Sequence, residues 1–223
     1  MSRRQFVVLG LGVFGSSVVK TLCEYGCEVL AIDNDMENVQ NVAEYATQSV
    51  QADMENLEQL KHLDIGSYDV AIIGTGSNLE SAVMAIMNLK ELGVPYIVAK
   101  AKNKSHMKIF KKLGVNLVVR PEKEMGERIA KMMLSKNIID LIEIDEDYSI
   151  VEISAPQSWV GKTLVELNVR GRYGMNVIAI RYAKNEQLTF SPDPNYVFEN
   201  DDQVMVITQT SELKQFNALE KLK

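Results

Sequence analysis

Phe6-Val7-Val8-Leu9-Gly10-Leu11-Gly12-Val13-Phe14-Gly15 decides how this chain folds. Four apolar residues make a short buried strand. Three glycines follow in the spacing G-x-G-x-x-G, and Ser16–Tyr25 then carries a helical pattern. In that spacing the first glycine permits a tight turn and the second lets a pyrophosphate approach the backbone. The third packs helix against sheet, so the positive end of the helix faces the phosphates. A second strand, Glu28-Val29-Leu30-Ala31-Ile32, ends at Asp33, 23 residues after Gly10. A carboxylate there grips ribose hydroxyls and repels a 2′-phosphate, which makes NADP the least suited ligand. Strand, turn, helix, strand and acid in this order predict an adenosine-nucleotide site. The plainer alternative is a glycine turn used only for packing, with Asp33 as a helix cap.

The same alternation runs on to residue 120. Helix-patterned Glu37–Tyr45, Leu57–Leu63, Ser81–Leu92 and Met107–Leu113 alternate with a short strand near Gln48–Gln51 and with strand-like runs at Asp69–Ile73, Tyr96–Ala99 and Leu117–Val119. Six strands with intervening helices predict a doubly wound parallel sheet, a Rossmann-like α/β fold. The loop Gly74-Thr75-Gly76-Ser77-Asn78 then falls at the carboxyl edge of the sheet, either lining the nucleotide crevice or serving as an ordinary connection. From Glu122 to Lys136 the pattern is helical, with Met125, Ile129, Met132 and Met133 on one stripe. A core stripe is the expectation, and a dimer-forming crossover helix is the other reading. Residues 137–147 read as a linker. Tyr148–Ile153, Asn176–Arg181 and Gln203–Thr208 read as strands and Ser211–Leu222 as a terminal helix, giving a small α+β unit. The division is therefore placed at 1–136 and 137–223.

Composition narrows the function. The chain has 223 residues, 46% hydrophobic and 24% charged, with 24 Lys and Arg against 30 Asp and Glu. Such a chain has the make-up of a soluble globular protein, and its acidity without a basic block argues against nucleic acid as a partner. Arg3-Arg4 before an apolar stretch imitates a twin-arginine export signal. However, glycines, Lys20 and Glu24 interrupt that stretch and no A-x-A site follows. A reduced cytoplasmic protein is expected, since Cys23 and Cys27 alone cannot staple a fold of this size.

Catalysis is poorly supported. A dehydrogenase needs an acid–base group in a substrate domain, yet the only histidines, His62 and His106, fall in helix-patterned segments. Cys23 and Cys27 have no histidine beside them and read as free thiols rather than a metal or redox site. There is no Ser-His-Asp order, no H-E-x-x-H and no P-loop lysine. A nucleotide here is better read as a signal than as a co-substrate. A small NAD-dependent oxidoreductase or NAD-sensing protein is the rival.

Several stretches resemble the RCK gating subunits of bacterial Ktr/Trk potassium uptake systems, of the KtrA type. They are Gly10–Gly15, Ala31-Ile32-Asp33, Arg120-Pro121-Glu122-Lys123-Glu124-Met125-Gly126, Tyr148-Ser149-Ile150-Val151-Glu152 and Leu167-Asn168-Val169-Arg170-Gly171-Arg172-Tyr173-Gly174. The resemblance implies a nucleotide-binding RCK N-lobe and a regulatory C-lobe, without enzyme activity. It further implies homodimers assembled into an octameric ring, peripheral at the inner face of the membrane beneath a potassium transporter subunit of KtrB/TrkH type. ATP or ADP would occupy the N-lobe, held by Gly10, Gly12, Gly15 and Asp33, with Val13, Phe14, Asn34, Asp53, Gly76, Asn78 and Lys100 around the same cleft. Glu122 matches the family acid that reaches a neighbouring nucleotide site and helps place Mg2+ or another cation. Read as sequence alone, Pro121-Glu122 is equally a good helix start. One departure stands out: the family commonly has Arg inside the glycine turn and this chain has Val13, which brings NAD or AMP into consideration. Some family C-lobes bind cyclic di-AMP as an inhibitory effector. The corresponding positions are Leu164, Val165, Arg170, Asn176, Val177 and Pro192, for which core packing or a surface ion pair is the bland reading.

Overall fold

The computed structural model describes residues 4–209 apart from 77, 134–137 and 146. It divides into two compact units, Met1–Glu122 and Lys123–Lys223.

In the first unit, strands β1 (Gln5–Leu9), β2 (Glu28–Asp33), β3 (Gln48–Gln51), β4 (Val70–Ile73), β5 (Tyr96–Lys100) and β6 (Leu117–Val119) form one sheet. Its order is β3-β2-β1-β4-β5-β6 and all pairings are parallel. Helices α1 (Val13–Glu24), α2 (Met36–Val42), α3 (Leu57–His62), α4 (Leu79–Glu91) and α5 (Lys104–Lys112) fill the crossovers. This is the doubly wound arrangement expected from the alternating pattern. Val7, Val8 and Leu9 are fully buried, because β1 has neighbours on both edges and apolar clusters on both faces. The chain reverses direction through the sheet between β1 and β4, so their carboxyl ends open a crevice at that point.

The second unit is built on an antiparallel sheet of order β10-β9-β11-β8-β7, from β7 (Ile138–Glu143), β8 (Tyr148–Ser154), β9 (Asn176–Arg181), β10 (Leu188–Phe190) and β11 (Gln203–Gln209). Two short helices, α7 (Leu164–Leu167) and α8 (Val169–Tyr173), precede β9. Inward Val151, Ile153, Val204 and Val206 pack with Trp159, Met175 and Phe198 in a single core. Strict alternation along β8 and β11 explains why these strands were readable from sequence.

Three features differ from the sequence reading. Residues 138–143 are the edge strand β7 rather than linker, paired to β8 with Ile142 opposite Ile150. Their acidic residues face cations of helix α6 (Pro121–Met133): Arg128 meets Asp140 at 2.6 Å, and Lys131 pairs with Glu143. Those pairs and the packing of Met132 against the second core account for the division falling within α6 instead of after it. The α6 stripe is also not a core stripe, since Met125, Ile129 and Met133 are exposed. The terminal helix expected at Ser211–Leu222 lies outside the described residues.

Candidate functional site

The crevice over β1 and β4 begins with the glycine turn. Gly10 adopts φ +92°, open to glycine at little cost. A Cβ on Gly15 would lie 1.9 Å from the Gly10 carbonyl oxygen, so the helix reaches the turn only with hydrogen there. Helices α2, α3, α4, α5, α7 and α8 each begin under a side-chain oxygen, from Asp35, Asn56, Asn78, Asn103, Thr163 and Asn168. By contrast, α1 begins at Gly12 with no side-chain cap and no acidic residue in its first turn. Its first-turn N–H groups are left for an external acceptor, and its dipole favours an anion.

Asp33 closes one side of this turn. It is 7% exposed; its Oδ2 accepts from the Leu11 N–H at 2.6 Å and its Oδ1 from the Asp35 N–H at 2.9 Å. A carboxylate oxygen has a second lone-pair direction, so ribose hydroxyls remain acceptable partners. A cavity of about 470 Å3 extends from here, bounded by Gly10, Gly12, Asp33, Asn34, Asp53, Gly76, Asn78 and Lys100. Its volume lies within the range of small-ligand sites. Asn78 caps α4 through its side-chain oxygen, which accepts from the Glu80 N–H at 3.0 Å. Among the described residues the lining carries three carboxylates, of Asp33, Asp53 and Glu55, and one ammonium, of Lys100.

Four residues named from sequence stand outside that lining. Val13 is 90% exposed, Gly15 is buried under the turn, and the Phe14 ring lies beneath the Lys100 ammonium at 5.7 Å. Glu122 pairs with Lys100. The Lys100 hydrogen bond, together with a backbone hydrogen bond at the start of α6, holds its carboxyl below the usual glutamate range. Glu122 lines an adjoining cavity of about 400 Å3 together with Gly76, Lys100 and Lys102. Sequence reasoning missed Asn38, Met54, Glu55 and Ser81 in the main cleft, whereas Gly74 and Thr75 line it as part of the loop expected at the carboxyl edge of the sheet. Ser81 donates to Glu55 at 2.5 Å, and buried Asn88 of α4 donates to the Met54 and Glu55 carbonyl oxygens, which ties that loop to α4. No local motif announces those contacts, because they join segments 26 to 34 residues apart.

A second cavity of about 430 Å3 lies in the second unit. Leu164, Val165, Arg170, Asn176, Val177 and Pro192 all line it, with Asn168, Val169, Met175, Ser191 and Pro194. Leu164 and Val177 also pack on the core, Val165 is exposed, and Arg170 is the one charged lining residue among the described residues. Asn168 adopts φ +44° and accepts from the Gly171 N–H, which fixes the turn that carries Arg170. Elsewhere in this unit, Asp202 is fully buried. It accepts from the Tyr196 hydroxyl and from the Ala183 and Glu199 N–H groups at 2.8–3.0 Å.

The remaining candidates are local. His62 Nδ1 meets the Glu58 carbonyl oxygen at 2.7 Å and the His106 ring lies tilted against Phe110, while Cys23, within α1, and Cys27, just after it, are free and half-buried. Among the described residues no group of three or more His, Cys, Asp or Glu stands together as a metal centre, and no helix is long and apolar enough to cross a membrane.

The TrkA-N domain family matches residues 6–121 and the TrkA-C domain family matches residues 148–221. The chain belongs to the KtrA/TrkA family. Ktr system potassium uptake protein C of Bacillus subtilis (strain 168) is 36% identical over 214 residues, 96% of each chain. Ktr system potassium uptake protein A of the same organism is 34% identical over 216 residues, 97% of this chain and 96% of that one. In fold, this KtrA/TrkA chain is similar to the crystal structure of the GsuK RCK domain, with a TM-score of 0.67 at 16% identity. That likeness covers 98% of this chain and 48% of the other.

Proposed function

We propose that this KtrA/TrkA chain is a cytoplasmic regulatory subunit of a potassium uptake system and binds an adenine nucleotide as a signal. The observation that carries the reading is the convergence of the uncapped α1 start, the anchored Asp33 and Lys100 on one cleft. Adenosine hydroxyls and amine suit the carboxylates of Asp33, Asp53 and Glu55, and phosphates suit the glycine turn and Lys100. ATP and ADP fit this polarity, with NAD or AMP as competitors for the same cleft. Glu122 supplies a single carboxylate to the phosphate end, so Mg2+ or another cation there takes its other ligands from phosphate oxygens and water. The 36% and 34% identity to Ktr potassium uptake proteins supports a role in potassium uptake over catalysis. The form of that role we propose is gating, in an octameric ring of homodimers under a KtrB/TrkH-type transporter subunit.

Cyclic di-AMP is the proposed second ligand. Apolar Leu164, Val165, Val177 and Pro192 suit a purine face, Asn176 a base edge and Arg170 a phosphate. A cavity of about 430 Å3 suits one adenosine half, so the two-fold ligand calls for a second copy of the C-lobe. Each ligand regulates only by preferring one ring conformation over another.

Isothermal titration of the full chain with ATP, ADP, NAD and cyclic di-AMP tests both sites. Micromolar heats from an adenine nucleotide and from cyclic di-AMP, without mutual competition, are expected. Silence from all four ligands, or substrate-dependent NADH turnover, overturns the reading.

A further inference from the structure

The chamber next to the nucleotide cleft is lined by Gly76, Lys100, Lys102 and Glu122, and it shares Gly76 and Lys100 with the cleft itself. Its charges are not equivalent. Lys100 is committed twice, to the Glu122 carboxylate and to the face of Phe14. Lys102 is exposed and makes no ion pair among the described residues. The glycine turn brings no side-chain charge of its own, because Val13 at its centre is aliphatic and 90% exposed. A ligand whose phosphates run from the turn past Gly76 therefore meets backbone N–H groups, then the paired Lys100, and then an unpaired ammonium.

Resting on the proposal that adenine nucleotide occupies the cleft, we propose that Lys102 is a specificity-determining residue. It contacts the terminal phosphate of a nucleoside polyphosphate in this chamber. The physical basis is that each added phosphate adds negative charge at the chamber end only. An ammonium already satisfied by a carboxylate offers that charge less than an unpaired one does. AMP ends before the chamber. NAD would place an uncharged ribose and an amide-bearing ring where Lys102 waits for an anion. The order of affinity is thus ATP over ADP over AMP, with NAD gaining nothing from Lys102. Lys102 lies just before Asn103, the cap of α5, so strand β5 and helix α5 hold its backbone in place.

Calorimetry on the full chain with ATP, ADP, AMP and NAD, for wild type, K102Q, K102R and K108Q, tests this assignment. K102Q should weaken ATP about tenfold and leave AMP and NAD within twofold, and K102R should restore ATP binding. Lys108 is exposed on α5 and lines neither cavity, so K108Q should change nothing. An ATP affinity unmoved by K102Q, an equal loss for all four ligands, or an equal loss in K108Q overturns the role of Lys102 and leaves the nucleotide reading standing. Wild type that binds none of the four overturns that reading and this inference with it.

Discussion

The Leu11 N–H donates to Oδ2 of Asp33 at 2.6 Å, joining the glycine turn to the end of the neighbouring strand. Asp33 is thus a structural acceptor in its own right. Under the proposed reading, the residue offered to a ribose also fixes the turn offered to the phosphates.

Replacing Asp33 separates these roles. D33A strands a buried N–H and should cost about 1–3 kcal/mol of stability together with at least a tenfold loss of nucleotide affinity. D33N keeps an acceptor and should melt nearer to wild type while still binding weakly. Thermal melts beside calorimetry read both quantities, and unchanged nucleotide affinity in D33A would remove Asp33 from the ligand set.

Gly15 tolerates no side chain. G15A drives a Cβ into the Gly10 carbonyl oxygen and should cost about 3 kcal/mol or more, seen as a lowered melting temperature or loss of soluble protein. V13A, at an exposed position two residues earlier, should stay within about 0.5 kcal/mol of wild type.

In the C-lobe, R170Q should reduce cyclic di-AMP affinity more than tenfold with an unchanged melt. G171A places a Cβ 2.6–2.7 Å from the Asn168 amide and should cost about 1 kcal/mol by displacing that cap. Because glycine accepts the φ of +44° at position 168, the double variant N168G/G171A should melt above G171A. A double variant less stable than G171A contradicts the clash as the cause.

Glu122 and Tyr196 carry pH dependences of opposite sign. Lys100 holds the Glu122 carboxyl below its ordinary value of 4.5, so the pair's contribution is full above that pH and fades as the solution becomes more acidic. Glu122 is mostly exposed, which limits the effect to about 1 kcal/mol or less, and E122Q should flatten the acid limb of stability by that amount.

Burial and the bond to Asp202 push the Tyr196 phenol above its ordinary value of 10.0. That stabilisation is complete below pH 10 and is lost as pH rises through the elevated value. Spectroscopic titration of the tyrosinate band should show this phenol ionising late, with Y196F removing the delayed component. A wild-type titration identical to Y196F would sink the assignment.

Much of the N-lobe was legible because parallel strands buried on both faces read as apolar runs, and the glycine spacing tied the first of them to a turn. The cleft was legible where its residues sit at strand ends or in a motif, as Gly10, Asp33 and Asn78 do. It was opaque at Glu55, Ser81 and Asn88, whose roles arise from contacts between segments that carry no local signature. Strand β7 was missed because its alternation is broken by Asp140 and Glu143, whose partners lie on α6 and not in the strand's own sequence. The α6 stripe misled for the converse reason: apolar spacing marks a helix face, and Met125, Ile129 and Met133 put that face outside the core of the single chain.

The strand order has a consequence during synthesis. Strand β1 needs β4 as well as β2, so one edge of Val7-Val8-Leu9 lacks its partner until Ile73 has left the ribosome. At cellular elongation rates that interval lasts roughly 3–13 s. Over those seconds the nascent polypeptide presents its most water-averse ribbon to whatever it meets. A product stopped short of residue 70 is therefore a client for chaperones or a seed for precipitation, and not a smaller folded protein.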